Sequence, residues 1–319
     1  MTRFILRRTI QALVVLALMS VAVYGLIGLM PGDPIDEMIS ADPRMTSADA
    51  QRLKALYGLD KPLHERYLAW AGRALQGDFG YSRIQAKPVL DVILPRLGNT
   101  IALMLSALLI ALSFAIPLGV LAAVRAEGWT DRAINLACFA GVSLPTFWLA
   151  LMLIVLFAVT LQWLPAGGID AVAEGSLGER LRHLVLPVAS LVIVIIPIYT
   201  RHVRAAMIEI LGLDFVQTAR AKGAPEARVV WRHALPNALV PVVTVLALEL
   251  GGLFSGAMIV ETIFAYPGMG KLIFDAVMGN DYNLALVALL FATFTTLAGN
   301  LGADLAYAPL DPRVRYDRS

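Results

Sequence analysis

The chain has 319 residues, of which 58% are hydrophobic and only 16% charged, with a mean hydropathy of +0.72. A soluble domain of this length needs far more surface charge, so the composition points to a membrane protein. The net charge of +2 gives no reason to expect nucleic acid, and the single Cys138 excludes an internal disulfide or a multi-cysteine metal site.

The chain opens with Arg3, Arg7 and Arg8, then an uncharged run over residues 10–30 that gives way to Pro31-Gly32-Asp33-Pro34. The run is too long for a signal-peptide core, and no small-x-small cleavage site closes it. It is expected to be an uncleaved first span. Residues 31–96 form a long connection with nine acidic and nine basic residues. Helical patterns run over residues 47–57 and 64–75, separated by Gly58-Leu59-Asp60-Lys61-Pro62-Leu63 and followed by Gly77-Asp78-Phe79-Gly80-Tyr81-Ser82.

A hydrocarbon core of ~30 Å needs ~20 apolar helical residues. Five more stretches qualify, over residues 100–124 (in an uncharged run from Leu97), 133–163, 184–200, 238–260 and 282–303. Pro117, Pro145, Pro187, Pro197 and Pro241 lie in these runs. Such prolines are tolerated where neighbouring helices or water re-satisfy the freed carbonyls, around a pathway or in a plain bundle. No internal repeat is visible.

Basic residues flank the first span, fill the connection between the fourth and fifth spans (Arg201, Arg204, Arg220, Lys222, Arg228, Arg232) and recur in the tail (Arg313, Arg315, Arg318). The connection after the fifth span has only Lys271, and that after the third has Arg180 and Arg182. This asymmetry predicts six spans with both termini cytoplasmic. The chain is therefore read as an all-α integral membrane protein.

Between the fourth and fifth spans the residues spell out a turn. Gly212 can break a helix leaving the fourth span, and Asp214 suits the N-cap of a new one. Residues 215–222 make two helical turns, with Phe215, Ala219 and Lys222 on one face. Gly223 suits the left-handed position after a helix, and Pro225 and Glu226 suit the start of the next. That second helix is expected to reach Leu235, with Pro236 ending or kinking it. So short a helix is marginal alone and must lean on something. Ala219 and Ala221 allow close approach, and Arg220, Lys222 and Arg228 offer charge to an acidic soluble surface. An ordinary basic loop obeying the positive-inside rule fits these residues equally well.

The segment resembles the coupling motif of binding-protein-dependent ABC transporter permeases, EAA, three residues, Gly, nine residues, then I-x-L-P. Gly223 is the glycine, nine residues follow, and then His233-Ala234-Leu235-Pro236. Gln217, Thr218 and Ala219 stand at the EAA positions. This departure, within Asp214-Phe215-Val216-Gln217-Thr218-Ala219-Arg220-Ala221-Lys222-Gly223, resembles the dipeptide, oligopeptide and nickel branch. Further likenesses are Asn99-Thr100, Pro117-Leu118-Gly119, Ser143-Leu144-Pro145-Thr146-Phe147, Leu164-Pro165-Ala166-Gly167-Gly168, Thr200-Arg201-His202-Val203-Arg204, the run from Glu261 to Gly270, and Asp311-Pro312-Arg313-Val314-Arg315. The long loop after the first span looks like the B-type subunit. Asn280-Asp281-Tyr282-Asn283 departs from that branch's Arg-Asp-Tyr-Pro.

The resemblance implies a MetI-like, type I importer core of five helices over residues 97–308, including the coupling segment 208–237. An extra first span (1–30), an external loop region (31–96) and a cytoplasmic tail (309–319) complete the chain. It implies a bacterial inner-membrane permease, not an enzyme, working by alternating access. The expected partners are a second homologous permease, two ATPases and an external solute-binding protein. ATP and Mg would sit on the ATPases, because this chain has no Walker-type loop and needs no cofactor of its own. Asp214, Phe215, Thr218, Ala219, Arg220, Ala221, Lys222, Gly223, Pro225, Leu235 and Pro236 would couple to an ATPase.

Glu249 falls midway through the fifth span. A carboxyl there costs ~2.5–3.5 kcal/mol on insertion scales, so it should face a partner or a wet cavity. It reads as a pathway-lining residue or as a hydrogen-bonded packing residue. Glu261, near the other end of that span, reads as an interfacial acid, with a pathway role as the second reading. A different class, an ion-coupled secondary transporter, would use these two carboxylates as proton sites, but such transporters often show inverted repeats. The four histidines lie outside the apolar runs and form no catalytic or metal constellation with them.

Overall fold

The computed structural model describes residues 2–28, 61–168 and 176–307. The helix expected over residues 47–57 and the tail from 309 lie outside the described residues, as does the side chain of Glu249. Among the described residues every regular element is helical, and an isolated bridge joins Tyr81 to Pro88. Among the described residues, four helices are long and apolar enough to cross a membrane: Leu6–Gly28, Val89–Val124, Leu177–Leu211 and Tyr282–Gly302. A bent pair, Trp129–Ser143 with Thr146–Thr160, makes a fifth candidate.

The chain divides into two compact units. One comprises Met1–Leu97 and Leu272–Thr295, the other Gly98–Lys271 and Thr296–Ser319. In the first unit, α1 (Thr2–Gly28) packs against α2 (Leu63–Ala74), which starts one residue before the expected position. The loop after α2 folds back through left-handed Gly77 and Gly80. It is fastened to the start of the last helix, α11 (Tyr282–Tyr307). Asp281 caps that helix by accepting from the Leu284 N–H at 3.2 Å. Its other carboxyl oxygen accepts from the Ser82 hydroxyl (2.5 Å) and the Ile84 N–H (3.1 Å). Asn283 donates to the carbonyls of Phe79 and Tyr81 at 2.9 and 3.1 Å. A proline at this position could not do so.

The second unit holds most of α3 (Val89–Val124), then α4 (Trp129–Ser143), α5 (Thr146–Leu153), α6 (Leu177–Leu211) and α9 (Leu235–Ile263). Its core interleaves residues of α3, α6 and α9, among them Leu103, Ala107, Ile195, Tyr199, Val203, Ala238 and Val260.

Two expected spans change shape. The run over 133–163 is not one straight helix: α4 and α5 meet at 96°, with Leu144 extended before Pro145. Proline disfavours helical geometry in the residue before it, so Leu144 opens the bend. Beyond α5 the chain widens into π-helical turns over Ile154–Thr160. The fourth span, expected to be the shortest, lies within the 35-residue α6, roughly 52 Å long. A capping box between Ser176 and Glu179 starts it early, and amphipathic turns carry it on to Leu211. One helix was not foreseen, α10 (Met269–Met278).

Candidate functional site

α6 ends at Gly212, and after Leu213 the chain re-enters a helix, α7 (Asp214–Ala221). Asp214 is the first helical residue rather than the N-cap. Leu213 holds the cap position and makes no side-chain cap bond. The Asp214 carboxylate still lies at the positive end of the helix, and its carbonyl accepts from the Thr218 hydroxyl at 2.9 Å.

The end of α7 is a Schellman turn. Gly223 has φ +79°, its N–H bonds to the Arg220 carbonyl at 2.9 Å, and the Ala224 N–H reaches the Ala219 carbonyl at 3.2 Å. Pro225 then caps α8, the single turn Glu226–Arg228. The Arg220 guanidinium grips the Glu226 carboxylate across the turn with two bonds, at 2.7 and 3.2 Å. This pairing holds the Glu226 carboxyl below its ordinary range and raises the Arg220 guanidinium above its own. The charge expected to face a partner is therefore in part spent closing the hairpin.

After α8 the chain winds as a π-helix over Val229–Ala234 and runs straight into α9. Pro236 thus neither ends nor breaks the second leg; it sits in the first turn of α9. Having no N–H, it costs one rung of the ladder. The wider turns place the Leu235 N–H on the Val230 carbonyl, and the Asn237 side chain donates to the His233 carbonyl at 2.7 Å.

The hairpin leans inward on valines that the motif spacing did not single out. Val216 and Val229 are fully buried and Val230 nearly so. The hairpin also bounds a groove of about 450 Å³ whose lining includes Phe215, Thr218, Ala219, Lys222, Arg228 and His233. Phe215 remains 42% exposed beside buried Val216. An exposed aromatic ring, a small-residue floor and two basic side chains can receive a protruding segment of another protein and hold acidic groups at the rim.

Close to where α6 hands the chain to this hairpin, Arg204 binds Asp131 of α4. The guanidinium Nε and Nη2 reach the two carboxylate oxygens at 2.6 and 2.7 Å. Asp131 is buried, and its carboxylate also accepts from the Glu127 N–H and the Asn135 amide. A pair separated by 73 positions leaves no local sequence signal.

The two acidic candidates of the fifth span differ in what can be said of them. Glu249 lies on α9, and its side chain is outside the described residues. Glu261 is fully buried. One carboxyl oxygen accepts from the Thr100 hydroxyl of α3, and the other accepts from the Lys271 N–H in the first turn of α10. A Cβ on Gly268 would land on that carboxyl, and one on Gly270 would strike Met258. The two glycines thus keep open the space that Glu261 fills.

Comparison with known proteins gives this geometry a family. Residues 115–316 match the binding-protein-dependent transport system inner membrane component, and residues 1–104 match the N-terminal model for such membrane components. The chain is 37% identical to the oligopeptide transport system permease protein AppB of Bacillus subtilis, covering 99% of this chain and 100% of that one. It is 38% identical to the di/tripeptide transport system permease protein DppB of Pseudomonas aeruginosa (92% and 93% covered). To the glutathione transport system permease protein GsiC of Escherichia coli K12 it is 33% identical (99% and 100% covered). A chain of the inward-facing MetNI methionine ABC transporter shares the fold, with a TM-score of 0.57 at 18% identity over 70% of this chain and 98% of that one. These likenesses set the ion-coupled alternative aside. The chain belongs to the binding-protein-dependent transport system inner membrane components, a family of multi-pass ABC transporter permease subunits.

Proposed function

We propose that this chain is the permease subunit of an ATP-driven importer that moves peptides, or a related small solute, delivered by a solute-binding protein. The observation that carries the reading is the hairpin α7–α8, closed by Gly223 and the Arg220–Glu226 pair around a groove of about 450 Å³. The names of the relatives support a peptide-class cargo.

In this reading Asp214, Phe215, Thr218, Ala219, Arg220, Ala221, Lys222, Gly223, Pro225, Leu235 and Pro236 form the coupling surface for an ATPase. The complex contains a second homologous permease and two ATPases, and ATP with Mg is assigned to the ATPases. Six spans result when the bent α4–α5 pair counts as one and α9 as another. Both termini then lie in the cytoplasm of a bacterium, and transport proceeds by alternating access. Glu249 is assigned to the translocation pathway. Glu261, bonded as described, is assigned to the pathway's wall rather than to direct contact with the cargo.

Purification of the tagged chain from its own host tests the assembly: two ATPases and a second permease should co-purify. A chain that is stable and transports alone would overturn the reading. Glu249→Gln should change peptide uptake in proteoliposomes more than it changes ATPase assembly, and unchanged uptake would remove Glu249 from the pathway.

A further inference from the structure

We propose that α2 lies in the membrane interface, with Leu68 and Leu75 seated in lipid beside α1. The proposal rests on the reading of α1 as a span and on nothing about cargo or coupling.

The placement follows from three faces of one helix. Leu63 packs over Gly28, the Tyr67 ring meets Tyr24 edge to face at 5.4 Å, and Trp70 lies 5.9 Å from the same Tyr24. The Tyr67 hydroxyl also bonds Ser20 at 2.8 Å. Leu63, Tyr67 and Trp70 recur at helical spacing, so this stripe faces α1. Each helical residue turns ~100° from the last, so Leu68 and Arg66 stand on opposite flanks of that stripe. Leu75 and Arg73 repeat the division seven residues on. One flank begins with exposed His64 and then carries Leu68 and Leu75, 65% and 91% exposed, while the other carries Arg66 and Arg73.

The depth follows from α1. Leu6–Gly28 has 23 residues, roughly 34 Å, close to the ~30 Å of a hydrocarbon core. Tyr24 is four residues from the Gly28 end, at the level where tyrosine and tryptophan collect at a membrane boundary. Glu65, Arg66 and Arg73 keep α2 from sinking further. Very little of α1 is buried, so its apolar surface stands open beside α2. A helix packed along the end of a span, with exposed leucines on one flank and arginines on the other, fits a lipid surface. A protein partner would need a groove matched to two leucines set beside lipid.

The test uses the full chain with Cys138→Ser, reconstituted in phosphatidylcholine vesicles. An environment-sensitive fluorophore is placed singly at Leu75→Cys, Leu68→Cys or Leu18→Cys. We expect the Leu75 and Leu68 probes to be quenched several-fold more by a nitroxide near the lipid headgroup than by one at the chain end, and little by aqueous iodide. The Leu18 probe, halfway along α1, should respond to the deep nitroxide. Iodide quenching at Leu75 with a deep Leu18 probe would overturn the interfacial helix alone. Shielding of Leu75 from both quenchers would overturn it in favour of a protein cover. A Leu18 probe open to iodide would overturn the span itself.

Discussion

The Thr100 hydroxyl donates to Glu261 Oε1 at 2.5 Å and accepts the Met269 N–H at 2.7 Å, so one side chain of α3 joins the end of α9 to the start of α10. Around it the Lys271 N–H bonds the other Glu261 oxygen, the Asn99 amide donates to the Pro267 carbonyl, and the Tyr266 hydroxyl returns to the Asn99 carbonyl. Orphan N–H groups at a helix start need acceptors, and for α10 two of them come from the side chains of Thr100 and Glu261.

Thr100→Val keeps the shape of the side chain but removes both roles of the hydroxyl. Taking its partner from a buried N–H costs about 1–3 kcal/mol, and Glu261 loses one bond besides. The thermal midpoint in detergent should fall clearly for Thr100→Val and little for Thr100→Ser. Equal midpoints would show that the hydroxyl does not hold this junction.

Gly268→Ala should be as damaging, for steric reasons. The new methyl would occupy the place of the Glu261 carboxyl, and overpacking costs about 1–3 kcal/mol. Yield of folded protein on size-exclusion chromatography reads this out. The double variant Gly268→Ala, Glu261→Ala should recover part of the loss, because the second change clears the overlap.

Asp131 and Arg204 should behave as a coupled pair. Removing one partner strands a charge that is buried on the Asp131 side and about a quarter exposed on the Arg204 side. A double-mutant cycle with Asp131→Asn and Arg204→Gln should give a coupling of about 1–3 kcal/mol in thermal denaturation. Additive losses would mean that the bidentate contact contributes little.

At the hairpin, Gly223→Ala places a Cβ at φ +79°, a strain of about 1–2 kcal/mol. The loss of stability should stop at that strain, because the new Cβ meets no other atom, while ATP-driven uptake falls. Gly223→Asn, which tolerates this conformation better, should retain more uptake. Uptake unaffected by either change would detach the turn from transport.

The Glu226 carboxyl should titrate below its usual range, and Arg220→Gln should bring it back. The sign is fixed by the direction of the shift. Whatever the pair adds is present above the ordinary carboxylate value and fades as pH falls through the depressed one. Between pH 6 and 8 no change is expected, and because the pair is exposed, salt should weaken it. A carbon-13 titration of a labelled Glu226 carboxyl checks this directly.

The hairpin was legible because its determinants are local: Gly212, Gly223 and Pro225 fix backbone angles wherever they occur. The fifth expected span reads as an apolar run, and helix α9 covers its residues. The bend at Pro145 hid inside a run that carries no charge. The length of α6 hid because beyond Thr200 the sequence turns amphipathic, and a hydropathy reading stops there. Asp131 with Arg204, and Glu261 with Gly268, hid for another reason. Each is a relation between distant residues, and a buried acid says nothing of its partner until the chain has folded. The departure Asn283 carried no reading in the sequence, yet its amide clamps the loop from Phe79 to Tyr81.

The path of the hairpin depends on a few points: a left-handed glycine, a proline and one ion pair. The letters on its groove face are under no such obligation. Gln217 and Thr218 stand where the general form of the motif has Glu and Ala, yet the turn closes. A segment built this way can drift on its outward surface while its trajectory persists. If the groove is the ATPase contact proposed above, related importers keep one scaffold while the residues on the groove discriminate between ATPases.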